Sequence, residues 1–213
     1  MTEINKKFDE NNKELESIFD TFHNSDIFPC SYFVGAIIRR AKAINEAFRL
    51  LMQVNNHISA LSLVRMQIDN CVLLLQGTFV KDIEDFFFHI QSGKETHKYK
   101  GEKNTKIDFH ERKIIKMLNK RYEGINTLYE YASSFIHFSS KHINSSYQFE
   151  ENVDATNLYI NMSFTVFYSN EEIENIYNSM LLVNSIILQL LKPYEIFHLK
   201  NVELAKIQYP NYP

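Results

Sequence analysis

The sequence predicts a mostly α-helical bundle of about six or seven helices, with one β-hairpin inserted before the last long helix. The chain has only 5 glycines and 4 prolines among 213 residues, about a third of the roughly 12% that proteins use on average. Sandwiches, barrels and glycine-rich nucleotide folds need more tight turns than this. A hydrophobic content of 45% excludes a disordered chain, because there is enough apolar surface to form a core.

Helical spacing of apolar residues is the second observation. It recurs over residues 3–22, 32–54, 59–79, 80–90, 108–122, 126–139 and 169–192. The third of these segments, with Ser59 as its expected N-cap, is apolar on nearly all sides, as is typical of the central helix of a bundle. Asp108 with Glu111, and Ser169 with Glu172, have the spacing of capping boxes and predict helix starts.

A change of period predicts the hairpin. Apolar residues alternate with mainly polar ones at Leu158, Ile160, Met162, Phe164, Val166 and Tyr168. A period of two is typical of a strand. Residues 146–150 form a weaker first strand, and the polar residues between the two would close a hairpin over 145–168.

The chain shows no internal repeat and no linker, and therefore predicts a single domain over 1–213. Within it we expect an N-terminal helix and turn over 1–30 and a flexible basic loop over 94–107. Pro193 should end the last long helix, which leaves residues 194–213 as a C-terminal tail that forms a short helix and an extended end.

Cysteine use and apolar runs predict a cytoplasmic protein. Cys30 and Cys71 lie in apolar surroundings without a CxxC spacing, as is typical of reduced, buried thiols. The N-terminal residues lack the apolar core of a secretory signal. The longest apolar stretch, 180–191, is interrupted by polar residues and is shorter than the roughly 20 residues that cross a bilayer, so no membrane partner is expected.

Charge is unevenly distributed along the chain. The net charge is −3, but residues 94–121 contain ten Lys or Arg and four acids, so that segment carries +6 and the remainder −9. Such a segment either contacts a polyanion such as RNA or is a solvated loop and helix face. The candidate nucleic-acid contacts are Lys98, Lys100, Lys103, Lys106, Arg112, Lys113 and Lys116.

Arg65 and Asp69 form the first candidate polar site. They are four residues apart on the apolar third helix and therefore share one face. A charged pair in such surroundings needs partners, because an isolated buried charge is costly. It is either an ion pair that joins two helices or a site where the Arg65 fork binds an anion such as phosphate.

A second polar set follows in the segment predicted as helix 126–139. Its members are Tyr131, Ser133, His137 and Ser140. Ser133, His137 and Ser140 have the spacing of one helical stripe, so a serine–histidine nucleophile and a hydrogen-bonded core histidine are both open. No glycine-rich oxyanion site accompanies them, and His137 and His142 are wrongly spaced for a shared zinc ion.

Several motifs are missing from the sequence. It has no GxGxxG, GxxxxGK[ST], HExxH or paired CxxC, so we expect no cofactor and no metal. The aromatic run Phe86, Phe87 and Phe88 favours a core or dimer interface over base stacking, since stacking sites interleave aromatics with basic residues. Tyr99 is the aromatic residue with that basic context.

The Arg65 and Asp69 helix, followed by a helix with Tyr131, Ser133, His137 and Ser140, is similar to a family of uncharacterised bacterial helical proteins. That family resembles the HEPN (higher eukaryotes and prokaryotes nucleotide-binding) superfamily, and the resemblance covers residues 35–190. It implies a helical bundle, often a dimer. It also implies a link to toxin–antitoxin or phage-defence systems, in which many members are metal-independent RNases and others are inactive partners.

This chain departs from the active members of that superfamily, which carry Arg followed by His after four to six residues. No arginine here has a histidine at that spacing. We therefore expect a helical binding or regulatory module, self-associating as a homodimer, with an RNA or protein partner. Its internal polar network should comprise Arg65, Asp69, Tyr131, Ser133, His137 and Ser140. The alternative is a metal-independent endoribonuclease in which Arg65 stabilises phosphate charge and His137 acts as acid or base.

Overall fold

The protein forms a helical bundle, which confirms the predicted helical class. The computed structural model describes residues 2–24, 28–99, 109–137, 139–140, 147–148, 159–160 and 168–208. In these ranges the α-helices are α1 (Thr2–His23), α2 (Pro29–Gln53), α3 (His57–Gly77), α4 (Ile83–Gln91), α5 (Glu111–Arg121), α6 (Ile125–Ser133) and α7 (Asn170–Gln208). A 3₁₀ turn, Thr96–Lys98, lies in the segment predicted as a flexible loop, and residues 100–107 of that loop lie outside the described residues.

Helix α3 is the centre of the bundle, as its apolar composition predicts. It packs against α2 and α7 on one side and against α5 and α6 on the other. Val64, Ile68 and Cys71 are fully buried along it. Helix α1 completes the bundle against α2 and α7, so α5 and α6 form a separate layer that reaches the core through α3.

A layer of buried amides crosses the apolar core. Gln67 Nε2 of α3 donates to Asn184 Oδ1 of α7 at 2.6 Å and to Asn45 Oδ1 of α2 at 3.2 Å. Asn184 Nδ2 donates to the same Asn45 oxygen at 2.9 Å. Asn70 Nδ2 donates to Gln67 Oε1 at 2.9 Å, and Asn45 Nδ2 donates to Asn12 Oδ1 of α1 at 3.1 Å. Because buried polar groups need partners, this layer fixes how four helices align.

Several helices start one to three residues away from the predicted position, and side-chain caps explain two of these differences. Helix α3 begins at His57, since Asn56 Oδ1 accepts from the Ser59 backbone N–H at 3.2 Å; Asn56, not Ser59, is the N-cap. Helix α4 begins at Ile83 rather than Val80, because Asp82 Oδ1 accepts from the backbone N–H groups of the first turn at 2.9 and 3.1 Å. In both places a short polar side chain satisfies donors that a helix end leaves unpaired.

Helix α7 does not end at Pro193, contrary to the prediction. It continues to Gln208, so most of the predicted C-terminal tail is helical; residues 209–213 lie outside the described residues. Proline in a helix interior removes one hydrogen bond, and packing on the bundle offsets that loss. Tyr194, His198 and Val202, spaced by four, are all buried.

Gly77 permits this close packing at the end of α3. The Tyr194 hydroxyl donates to the Leu74 carbonyl oxygen at 2.6 Å. A Cβ added at Gly77 would lie only 2.2 Å from the same hydroxyl oxygen. Glycine at position 77 is therefore required by the approach of α7.

The predicted β-hairpin over 145–168 is wrong as an element of the fold. Among the described residues, pairing is limited to Tyr147 with Ile160 and Gln148 with Tyr159. Two residues on each side are far shorter than an ordinary strand, and a two-stranded hairpin is marginally stable without further packing. Residues 145–146, 149–158 and 161–167 of the prediction lie outside the described residues. The described fold is therefore a helical bundle without a sheet.

Among the described residues, two helices have the length and composition of membrane-crossing segments. They are α3 and the Asn170–Leu204 part of α7, and 56% and 50% of their apolar windows are buried inside the bundle. Core helices of globular bundles show the same composition, so this is weak evidence for a membrane span.

Candidate functional site

Arg65 lies at the contact between α3 and the α5–α6 layer. It is 8% exposed, an unusual burial for a charged side chain. The surrounding α3 residues Leu61 and Ile68 are buried at 1% and 0%. An arginine in this position must find its hydrogen-bond acceptors inside the protein.

All three nitrogens of the Arg65 guanidinium have partners. Nε donates to Ser133 Oγ at 2.9 Å, and Nη2 donates to Tyr129 Oη at 3.1 Å. Nη1 donates to Asp69 Oδ1, and Nη2 also donates to Glu111 Oε1. Burial by itself lowers the pKa of Arg65, but the charge and hydrogen bond of Asp69, together with the charge of Glu111, raise it above its usual value. Arg65 is therefore a permanent cation that joins α3, α5 and α6.

The two carboxyl groups share this one cation. The side chains of Asp69 and Glu111 are 34% and 42% exposed. Burial raises the pKa of Asp69, Arg65 lowers it, and the hydrogen bond and charge of Glu111 raise it, which together bring it to about 6. The single positive charge of Arg65 thus balances the negative charge of one carboxylate and leaves that of the second largely unbalanced.

Helix α6 supplies the aromatic side of the cluster. The guanidinium carbon of Arg65 lies 4.1 Å from the centre of the Tyr129 ring, within the range of a cation–π contact. Burial raises the pKa of Tyr129. The ring and the Ser133 hydroxyl fix the plane of the guanidinium, which makes the cluster a rigid connection between helices.

The predicted polar network contains part of this cluster. Arg65, Asp69 and Ser133 belong to it, and the structure brings these three together. Glu111 and Tyr129 are absent from the predicted network. The sequence predicts Glu111 as a capping-box residue, whereas it is the first residue of α5 and its carboxylate faces another helix. Tyr129 is four residues before Ser133, so helical spacing could have placed both on one face of α6.

The other predicted members do not join Arg65 among the described contacts. Helix α6 ends at Ser133, so His137 and Ser140 are not on a helical stripe with Ser133, contrary to the prediction. His137 is exposed, and its described contact is a backbone hydrogen bond to Ser133 O at 3.4 Å. Tyr131 is 37% exposed, and its ring packs against Phe135; Ser140 is exposed. A catalytic pairing of Arg65 with His137 stays a prediction.

The basic segment is partly described. Helix α5 buries Ile114, Ile115 and Leu118 and exposes its basic residues, namely Arg112, Lys113, Lys116, Lys120 and Arg121. Lys98 lies 2.9 Å from Glu95 in an exposed ion pair. Lys100, Lys103 and Lys106 lie outside the described residues. We call the exposed side chains of Arg112, Lys116 and Lys120, spaced by four along α5, the basic face.

The aromatic residues near this segment are arranged differently from the prediction. Tyr99 is 8% exposed, and its ring packs against Phe86 and Phe109 at centroid distances of 5.0 and 6.1 Å. Its hydroxyl donates to Asp85 Oδ2 at 2.9 Å. Phe88, by contrast, is 53% exposed. The aromatic residue with the basic sequence context is thus a core residue. Of the run predicted as core or dimer interface, Phe86 is in the core and Phe88 is on the surface.

No group of three or more His, Cys, Asp or Glu among the described residues is arranged to hold a metal ion. Comparison of the chain with protein-family models, curated proteins and solved structures finds no match.

Proposed function

We propose that this protein is a non-cleaving RNA-binding module of HEPN-like type, and that it holds RNA on the basic face of α5. The observation that carries the proposal is the orientation of α5. Its acidic residue, Glu111, points to Arg65, while Arg112, Lys116 and Lys120 are exposed along one side. Cations spaced by one helical turn can contact successive phosphates of a nucleic-acid backbone.

The Arg65 cluster supports a binding function over a catalytic one. An arginine that stabilises phosphate charge in a transition state must have donors aimed at the substrate. Here the three nitrogens of Arg65 are engaged with protein side chains. The cluster instead holds α5 on α3 and thereby positions the basic face.

Cytoplasmic location and self-association are further parts of the proposal. Support for a homodimer comes from exposed apolar side chains on the last turns of α7, since clustered apolar surface marks interaction sites. These are Ile196, Phe197, Leu199 and Leu204, with exposures of 68%, 44%, 51% and 51%.

Fluorescence anisotropy of a labelled RNA tests the proposal. Charge reversal of the basic face in the triple variant Arg112→Glu, Lys116→Glu and Lys120→Glu should weaken binding by at least tenfold at low salt. The matched control reverses three exposed lysines of α1, Lys6, Lys7 and Lys13, which gives the same net charge. If both variants lose RNA affinity equally, or if neither loses affinity, a binding site on α5 is contradicted.

A further inference from the structure

A cavity of about 760 Å³ lies beside the turn that follows α4. Gly93, with φ of +76°, adopts the left-handed conformation that ends a helix and reverses the chain. The reversal brings Lys94 and Lys98 beside Phe88, and all three line the cavity. Residues separated in sequence by up to ten positions thus form one concave surface.

Phe88 is the exposed aromatic wall of this cavity. Its ring meets the Phe87 ring at a centroid distance of 5.3 Å and an angle of 59°. About half of its surface, 53%, remains exposed. An exposed aromatic ring that lines a cavity can stack on a planar ligand.

Two ammonium groups and two carboxylates lie among the described residues that line the cavity, namely Lys94, Lys98, Asp85 and Glu95. Asp85 accepts a hydrogen bond from the Tyr99 hydroxyl, and Glu95 is 2.9 Å from Lys98. Lys94 is exposed and has no ion pair among the described residues. The site therefore combines an aromatic ring with an ammonium group that no described carboxylate holds.

The cavity is connected to the start of α5. The ring of His97, in the 3₁₀ turn beside the cavity, stacks on the ring of His110 at 4.9 Å and 17°. His110 directly precedes Glu111, the first residue of α5. The cavity thus lies at the N-terminal end of the helix that carries the basic face.

We propose that this cavity binds one unpaired nucleobase, which stacks on Phe88 while Lys94 contacts an adjacent phosphate. The inference rests on the proposed RNA binding at α5 and narrows its substrate to single-stranded RNA. A base in a duplex is stacked on both sides and cannot enter the cavity, whereas an unpaired base can.

Phe88→Trp provides a direct measurement, because the natural chain has no tryptophan. A single-stranded oligoribonucleotide should quench the tryptophan emission, with the same midpoint as its anisotropy titration. An oligonucleotide of equal length without a base at its central positions should bind with less quenching, and a blunt duplex should not quench. Binding of the single strand without any quenching contradicts the inference.

Phe88→Ala tests the same contact through affinity. It should weaken binding of the single strand about 5- to 100-fold, as expected for the loss of one stacked base. The dependence of affinity on salt should stay unchanged, since no charge is lost. Leu50→Ala, which shortens an exposed apolar side chain on α2, is the control and should bind as the natural protein does.

The outcomes separate the inference from the proposed function. If Phe88→Ala binds normally while reversal of the basic face weakens binding, the cavity is not a base site and the proposed function stands. If the natural protein binds no RNA at low salt, both fail. If Phe88→Ala instead converts a dimer to a monomer in light scattering with RNA affinity unchanged, Phe88 is a self-association residue and the inference is contradicted.

Discussion

At the residue scale, the chemistry of the candidate site depends on one guanidinium facing two carboxyl groups. Arg65 donates to both Asp69 and Glu111, and the carboxyl groups hydrogen-bond to each other. Removing one partner of a buried ion pair is costly because the other charge is left uncompensated. Here two carboxylates share one cation, so one negative charge is not balanced. Neutralising one of the two carboxyl groups should therefore stabilise the folded protein.

Asp69→Asn should therefore change how stability depends on pH. The pKa of Asp69 in the folded protein is raised from 3.8 to about 6. A raised pKa adds stability that is fully present below pH 3.8 and is lost as pH rises through about 6. From pH 4 to 7.5 the natural protein should lose on the order of 1–2 kcal/mol relative to Asp69→Asn, a figure reduced for the partial exposure of the carboxyl. Urea unfolding at a series of pH values measures this difference.

Asp9→Asn is the matched control for this experiment. Asp9 lies 2.9 Å from Arg49 in an exposed ion pair between α1 and α2. Its difference from the natural protein at each pH is the reference for the effect of losing one carboxylate from an exposed ion pair. If the unfolding free energies of Asp69→Asn and the natural protein differ by a constant amount from pH 4 to 7.5, Asp69 and Glu111 do not share the Arg65 cation as described.

The contacts of Arg65 also predict that the protein does not cleave RNA. Because the Arg65 nitrogens are engaged and His137 is not among their described partners, labelled RNA should stay intact on incubation with the protein in EDTA. Denaturing gel electrophoresis measures this. Cleavage that disappears in both Arg65→Ala and His137→Ala, with folding retained, would establish the endoribonuclease instead.

At the element scale, the amide layer sets the alignment of α1, α2, α3 and α7. Asn184→Leu removes the acceptor of the 2.6 Å hydrogen bond from Gln67 and a donor to Asn45. Leaving such buried groups unpaired should cost about 2 kcal/mol or more in unfolding free energy. Asn178→Leu, at an exposed position of the same helix, should cost less than about 0.5 kcal/mol. Equal effects of the two substitutions on urea unfolding would show that the layer adds no stability.

Local sequence signals predicted the helices but not all of their ends. The apolar pattern of α3 is sufficient to predict a central helix, because a helix that is apolar on nearly all sides is buried whichever helices surround it. Pro193 is a strong local stop signal, yet Tyr194 and His198 pack on the bundle and the helix continues. Whether the alternating residues 158–168 form a strand depends on a partner that the pattern does not contain.

The cluster and the cavity were harder to predict for the same physical reason. Arg65 and Asp69 are neighbours along one helix, so spacing alone places them together. Glu111 joins them from another helix, 42 residues beyond Asp69. Phe88 and Lys94 line one cavity because the chain turns at Gly93. Contacts of this kind depend on how elements pack, which composition and period do not determine.

At the scale of the whole molecule, charge is separated in space as well as in sequence. A chain of net charge −3 carries +6 within residues 94–121, and α5 exposes five of the ten basic residues of that segment on one layer of the bundle. An acidic body repels RNA, so binding should be confined to this layer. A basic layer on an acidic protein orients the RNA as it approaches.

The salt dependence of RNA affinity tests the central claim most directly. Neutralising the basic face in the triple variant Arg112→Gln, Lys116→Gln and Lys120→Gln removes three candidate phosphate contacts. The slope of log affinity against log salt should become shallower by about 2 for a single strand. An unchanged slope, with the variant folded as the natural protein is, would contradict RNA binding on α5.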